Sequence, residues 1–389
     1  MSTVSPQTEE ATATILGVGT AVPKYRVNCN ASARFAAKTS CVDSAQSRKV
    51  DVLYRRTGIE HRGSVLLDEA PGEEVVNDFY PPAQSLDCRG PGTKLRNDRY
   101  AEEAPVLAEQ SSSAALAASG LTPDQITHLV TVSCTGFNSP GIDIALIDNL
   151  NLPETTERIQ VGFMGCHGSI NGLRAARGLV AAREDAKVLM CSVELCSLHY
   201  QYGLDTDRIV SNALFADGSA AMVLEAGPKQ AGLLDHGLQN GASEFAGQGL
   251  GSVQATGSCL VPKSRDAMTW CIGDHGYQMT LSAQVPHLIE EYLADFLSKW
   301  LSGYGESIES IGGWIVHPGG SRILSAVDNA LGLSPEELAV SRAVLAENGN
   351  MSSATMLFIL ERFAAMNKPK PWLMLGFGPG LEIEVALIR

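Results

Sequence analysis

"VGFMGCHGSINGLRAARGL" (161–179) sets one cysteine, Cys166, between a β-like run and a helical run, with Gly165 before it and Gly168 just after. A strand that hands over to a helix through a glycine turn is the repeating unit of an α/β fold. A thiol at that junction meets free N–H groups and the positive end of the helix dipole, and both favour the thiolate. The flanking glycines leave it approachable. The rest of the chain keeps the same alternation. Strand-like runs are "TILGVGT" (14–20), "ITHLVTVSC" (126–134), "KVLMCSVEL" (187–195) and "AAMVLEA" (220–226), then "GGWIVH" (312–317), "PWLMLGFG" (371–378) and "EIEVALI" (382–388). Apolar runs with few alternating polar residues predict strands covered on both faces, hence a layered α/β fold. Helical periodicity marks 105–119, 169–183, 284–301 and 351–366. The Pro/Gly/Asp-rich segment 63–100 reads as an irregular surface excursion, and "NGASEFAGQGLGSVQATGS" (240–258) as a second loop.

A long-period repeat surrounds the cysteine. One strand ends at Ser133-Cys134, and 32 residues on (134 to 166) Cys166 opens a helix. A second strand, "GGWIV", ends at His317, and 33 residues on (317 to 350) Asn350 precedes another helix in "ENGNMSSATMLFILERF". Each half closes with two further strands. The pattern predicts two similar halves, 1–229 and 230–389, whose equivalent helix starts meet and gather Cys166, His317 and Asn350. That trio is chemically coherent. A thiolate is a good acyl acceptor and forms a thioester. His317 pairs with the thiolate, and His317 and Asn350 supply donors for a developing oxyanion.

Bulk properties narrow the alternatives. The 389 residues are 44% hydrophobic and 19% charged, an ordinary globular composition of about two to three domain-sized units. A net charge of −14 disfavours nucleic acid and anionic lipid surfaces as partners. No apolar run reaches membrane-spanning length, and the acidic start "MSTVSPQTEEATAT" does not read as a secretory signal. Nine cysteines in so long a chain are not a disulfide framework, so a cytoplasmic, reducing setting is expected. A metal site is disfavoured, because Cys191 and Cys196 lack a companion pair at ligand spacing.

"GCHGSINGLRAAR", "VHPGGSRIL", "ENGNMSSATMLFIL" and "GFGPGLEIE", in this order and near these spacings, resemble the chalcone-synthase-related type III polyketide synthases over nearly the whole chain. The likeness is to the bacterial and fungal type more than to the plant flavonoid enzymes. It implies a thiolase-like αβαβα sandwich of two similar halves, a homodimer, and a Cys–His–Asn site needing no cofactor beyond coenzyme A thioesters. In such enzymes the cysteine takes a starter acyl group from acyl-CoA. The histidine and asparagine orient malonyl-CoA and stabilise the enolate left by its decarboxylation. The enolate attacks the thioester, and after several rounds the chain cyclises.

The resemblance assigns further positions. Phe215 in "NALFADGSAAM" falls on a gatekeeper between CoA tunnel and cavity. Met279 replaces the partner gatekeeper, normally also phenylalanine, and its flexible thioether predicts a softer constriction. Cys134, Cys196, His199 and Ser352 fall on cavity-lining positions, where Cys196 and His199 replace the threonines of chalcone synthases. His199 brings bulk and polarity to that wall, whereas Cys134 and Cys196 are small and weakly polar. Ser139 and Pro140 match the loop that reaches into the partner subunit's cavity. "RKVDVLYRRTGIEHR" (48–62) carries five Arg/Lys against two acids, and Lys49 and Arg56 match basic positions for the CoA phosphates, while a third falls on Val52. An aliphatic acyl-CoA starter and an alkylpyrone or alkylresorcinol product are expected. Of the rivals, a fatty-acid-type ketoacyl synthase carries its histidine in another context than "HPGG". A papain-like hydrolase places its cysteine near the mature N-terminus, and a non-catalytic acyl-CoA binder requires a spoiled triad. A polyketide synthase with a short or aromatic starter stays open.

Overall fold

The computed structural model describes residues 12–40, 44–67, 75, 77–85, 87–227 and 249–389. Its strands are β1 (Ala13–Ala21), β2 (Arg26–Asn28), β3 (His61–Gly63), β4 (His128–Ser133), β5 (Glu157–Gly162), β6 (Lys187–Leu195), β7 (Asp217–Ala226), β8 (Gly251–Leu260), β9 (Met268–Gly273), β10 (Gly276–Leu281), β11 (Gly313–Val316), β12 (Trp372–Gly378) and β13 (Glu382–Ile388). Its helices are α1 (Cys29–Ser40), α2 (Ser44–Arg56), α3 (Thr93–Ser119), α4 (Ile142–Leu150), α5 (Gly168–Ala182), α6 (Thr206–Leu214), α7 (Val285–Ser302), α8 (Ser321–Leu331), α9 (Ala339–Asn348) and α10 (Thr355–Met366).

Nine strands form one mixed sheet in the order β11-β12-β13-β8-β1-β7-β6-β4-β5. Reading outward from β1, the pairings to β7, β6 and β4 are antiparallel, antiparallel and parallel. Reading outward from β8, the pairings to β13, β12 and β11 repeat that series. The two sets join through the antiparallel β1–β8 pair. The repeat seen in the sequence is therefore a repeat of strand order and direction. Both helices that follow the spacing open alike, through a short 3₁₀ turn: Gly165–His167 before α5, and Ser352–Ala354 before α10.

The layers follow from which side chains of each strand point where. On β6, Val188 and Met190 join α5 and α10 in one core, while Leu189, Cys191, Val193 and Leu195 pack with α3 and α4 in another. On β12 and β13, Trp372, Met374, Ala386 and Ile388 meet that same central core, and Leu373, Leu375, Phe377, Ile383, Val385 and Leu387 pack against α7 and α8. The order is helices, strands, the α5/α10 pair, strands, helices: an αβαβα sandwich. Strands buried on both faces explain the near-continuous apolar runs.

Two expectations need correction. The stretch 240–258 is not all loop. Its Gly251–Ser258 part belongs to β8, in the middle of the sheet, and 240–248 lie outside the described residues. Small residues are required there, since a Cβ on Gly257 would stand 2.4 Å from Nε1 of Trp300. The excursion 63–100 ends early, because α3 already begins at Thr93 and runs through Pro105. Pro105 sits inside the helix rather than at its start, which misleads a reading that takes proline as a first-turn residue. Residues 68–74, 76 and 86 of that excursion, the start 1–11 and the boundary at 229/230 lie outside the described residues.

Candidate active site

Cys166 sits on the turn between β5 and α5, 7% exposed. Gly165 has a φ of +79°, and a Cβ there would lie 2.3 Å from Cδ of Pro379, so only glycine fits. Pro379 belongs to the "GFGPG" turn between β12 and β13. That turn presses against the cysteine's own turn from the other half of the repeat. From below, the Gly165 N–H donates to Sγ of Cys134 at 3.1 Å. His167 is buried among Gly376 and Gly378, its Nδ1 2.7 Å from Oδ1 of Asn171. Asn171 in turn donates to Glu384, which also pairs with Arg174.

His317 continues the β11 register by donating its N–H to the Leu375 carbonyl at 2.8 Å. Its ring is 1% exposed, and neither ring nitrogen has a hydrogen-bond partner in the protein. Orphaned buried polar atoms of this kind are expected where a substrate supplies the partner. Asn350 bridges Phe215: its N–H donates to the Leu214 carbonyl, and its carbonyl accepts from the Ala216 N–H, both at 2.9 Å. Asn350 Oδ1 accepts the Ser352 N–H at 2.8 Å, and the Asn350 side chain also hydrogen-bonds to Cys166. Ser352, at a φ of +48°, holds the left-handed backbone that redirects the chain into α10.

Electrostatics in this closed pocket differ from the expected thiolate. Burial pushes the Cys166 thiol up to about 12. Hydrogen bonding from Ser352 pulls it down, the Glu194 charge raises it, and Asn350 lowers it again. Burial and then the charge of His167 lower His317 to about 3. Cys166 is therefore a thiol and His317 a neutral imidazole at neutral pH. Desolvation is the largest influence and outweighs the pull of the helix start two residues on, at Gly168.

Cys134, Cys166, Cys196, Phe215, Met279 and Ser352 line one narrow cavity of about 350 Å³, counting space open to solvent. Through Cys196, Phe215, Trp270 and Met279 it borders a second cavity of about 880 Å³. Apolar side chains of the second include Val27, Phe35, Leu66, Leu67 and Val75. A third cavity, about 1100 Å³, lies between α2, α6 and the turn after His317. Helix α6 divides these last two. Asp207, Val210 and Leu214 face the third cavity, and Arg208, Ser211 and Asn212 face the second.

His199 is bulky but not polar towards the cavity. Its Nδ1 accepts the Tyr277 N–H at 3.0 Å, so Nε2 carries the proton and donates to the Thr135 carbonyl at 2.6 Å. The ring stacks on Tyr277 at 4.1 Å and meets Trp270 edge-on. Burial lowers it to about 3, so it stays neutral. Arg56 lines the third cavity, whereas Lys49 donates to the Leu204 carbonyl at 3.1 Å and does not line it. Val52 is 46% exposed. Ser139 and Pro140, joined by a cis peptide, are exposed and outside the Cys166 cavity.

Sequence reasoning missed Trp270 and Tyr277, which belong to the unrecognised β9–β10 hairpin. It also missed Glu194, fully buried near the end of β6 and bonded to the Cys134 N–H (2.9 Å), Thr135 Oγ1 (2.8 Å) and Ser353 Oγ. The signal was available: a lone carboxylate in a strand apolar on both faces demands donors.

The chain matches the N-terminal domain of chalcone and stilbene synthases over residues 2–228 and their C-terminal domain over 252–389. It is 35% identical to a 1,3,6,8-tetrahydroxynaphthalene synthase of Streptomyces peucetius subsp. caesius over 73% of this chain and 72% of that one. It is 29% identical to the α-pyrone synthesis polyketide synthase-like Pks18 of Mycobacterium tuberculosis, over 99% and 93%. The crystal structure of PKS-I from the brown alga Ectocarpus siliculosus superimposes with a TM-score of 0.86 at 30% identity, covering 98% of both chains. Its matched domains and its fold place this acyl-transferring enzyme in the chalcone and stilbene synthase family, among the type III polyketide synthases.

Proposed function

We propose that the enzyme loads an aliphatic acyl-CoA on Cys166, extends it with malonyl-CoA, and releases an alkylpyrone or alkylresorcinol. The observation that carries the aliphatic reading is the apolar cavity of about 880 Å³ bordering the cysteine's pocket. That volume counts space open to solvent, and the lining is mainly apolar. Phe215 and Met279 stand at the border, and the thioether bends aside for a chain more readily than a ring does. Pks18, named for α-pyrone synthesis, is similar over almost the whole chain.

The chemistry follows from neutral groups. As Cys166 attacks the acyl-CoA carbonyl, its proton passes to His317, which returns it to the departing CoA thiolate. Malonyl-CoA then places its thioester oxygen against His317 and the Asn350 amide. Loss of carbon dioxide leaves an enolate that these two donors stabilise. The enolate carbon forms a bond to the acyl carbonyl, and the Cys166–acyl bond breaks. No cofactor beyond the thioesters is required. A neutral imidazole suits the donor role, because an N–H of His317 is present across the physiological range.

We assign the nucleophile to the half 1–229 and the histidine and asparagine to 230–389. The working unit is a cytoplasmic homodimer. Supporting this, edge strand β5 is largely exposed, with Phe137, Ile159 and Phe163 exposed beside it near Ser139. The eight cysteines among the described residues are all free. Among the described residues no helix is long and apolar enough to cross a membrane.

The test is Cys166→Ala given malonyl-CoA and an acyl-CoA series, with mass spectrometry of products. The variant makes no polyketide but still releases carbon dioxide. Full product formation by the variant overturns the nucleophile. Wild-type products built from malonyl-CoA alone, with no gain from long starters, overturn the aliphatic reading.

A further inference from the structure

We propose that Arg322, together with Arg56, holds the phosphates of coenzyme A at the mouth of the third cavity. The inference rests on the reading of CoA thioesters as substrates and assigns a residue that neither the basic helix nor the motif had marked.

A chain with a net charge of −14 repels a polyanionic nucleotide unless cations are placed locally. Helix α2 was expected to provide them and provides only part. Val52 is uncharged, and Lys49 turns to the Leu204 carbonyl, away from the cavity lining. The cavity nevertheless has two guanidinium groups on different walls, Arg56 from α2 and Arg322 from the first turn of α8. Neither is paired with an acid among the described residues. Several exposed arginines elsewhere on the protein are neutralised, as in Arg55–Asp51 at 3.0 Å, Arg183–Asp185 at 3.0 Å and Arg389–Glu306 at 2.7 Å, while Arg48 and Arg265 face no cavity with a second free cation. Two unpaired cations left facing one cavity are what a phosphate site requires, and guanidinium groups match phosphate oxygens two at a time.

The position also fits the reaction. Arg322 follows His317 by five residues, through Gly319 and Gly320, which line the same cavity. Leu214, on the opposite wall, accepts the Asn350 N–H through its carbonyl. A thioester held between His317 and Asn350 therefore leads its pantetheine arm out past Leu214 and Gly319, towards the two arginines. Beyond Arg322 the surface continues into a more open depression bearing His287, Ser325 and the carboxylate of Glu290, which accepts from the Asn329 amide and does not pair with Arg322, so this guanidinium is reached from both sides. Asp207 is the one acid facing the cavity, and it stands on α6, on neither arginine's element.

The test measures binding and turnover separately. Isothermal titration of the full-length protein with coenzyme A and with pantetheine, which lacks the nucleotide, reads the phosphates directly. Arg322→Gln weakens coenzyme A about tenfold, the size expected for a charge-assisted contact open to solvent, while pantetheine is bound equally by both proteins. Arg322→Lys recovers part of the loss, and added salt weakens wild type more than Arg322→Gln. In turnover, Arg322→Gln raises KM for malonyl-CoA but not for the malonyl thioester of N-acetylcysteamine. Equal coenzyme A affinity in Arg322→Gln and wild type overturns the proposal, and so does an equal loss for coenzyme A and pantetheine, which marks a purely structural residue. Absence of carbon dioxide release from malonyl-CoA by wild type refutes instead the substrate reading, a separate measurement.

Discussion

If the second cavity seats the starter's alkyl tail, filling it should abolish selectivity for long chains without harming short ones. Ser211 is suited to this, being half-buried on the face of α6 that lines the second cavity, outside the pocket around Cys166. Burying a methylene is worth about 0.8 kcal/mol at most, or roughly a fourfold gain in kcat/KM per carbon, and about twofold if half of its area is covered. Between lauroyl-CoA and palmitoyl-CoA, four methylenes longer, the wild-type rise is then roughly 15- to 250-fold. In Ser211→Trp the indole occupies that space and the rise disappears, while acetyl-CoA is used within about twofold of wild type. The assay is CoA release at saturating malonyl-CoA, with each acyl-CoA kept below its micelle concentration and circular dichroism confirming the fold. A Ser211→Trp enzyme with the wild-type length profile would refute the placement of the tail.

Three further outcomes follow from the site. His317→Ala and Asn350→Ala each lower elongation about a hundredfold or more, since each removes a donor to the enolate; near-normal turnover in either contradicts their roles. With the Cys166 thiol pushed up to about 12, its alkylation by iodoacetamide accelerates about tenfold per pH unit from 7 to 10; a plateau near neutrality would reveal a preformed thiolate. Gly378→Ala puts a Cβ 2.3 Å from the His167 ring, in the packed turn beside Cys166. Overpacking of that kind costs about 1–3 kcal/mol, so a melting temperature lower by a few degrees and reduced activity are expected, and an unchanged melting curve would count against that packing.

Much of the architecture was legible because its signals are chemical and short-range. "KVLMCSVEL" coincides with β6 residue for residue, since a strand covered on both faces has to be apolar throughout. β8 was invisible for the opposite reason: its glycines and serines answer to Trp300 and Arg174, which arrive from distant elements. The spacing of Cys166, His317 and Asn350 reflected a true repeat of strand order. The protonation of the site was not readable, because it depends on how completely the pocket closes. Likewise His199 was named as a polar liner, yet only the partners on Tyr277 and Thr135 show that both nitrogens are already taken. Arg322 stood in full view in "VHPGGSRIL", but nothing in the string says which cavity it faces.

Helix α6 is nine residues long, and its two long sides line different cavities. On the proposed placement of the substrate, the side with Val210 and Leu214 would meet what every thioester shares, and the side with Arg208, Ser211 and Asn212 what distinguishes one starter from another. A helical period separates the two sets cleanly, so neighbouring codons write to independent functions. Diversification of this enzyme, by natural drift or by library, can therefore explore starter length through Ser211 and its neighbours while the common handle stays gripped, without rebuilding any loop.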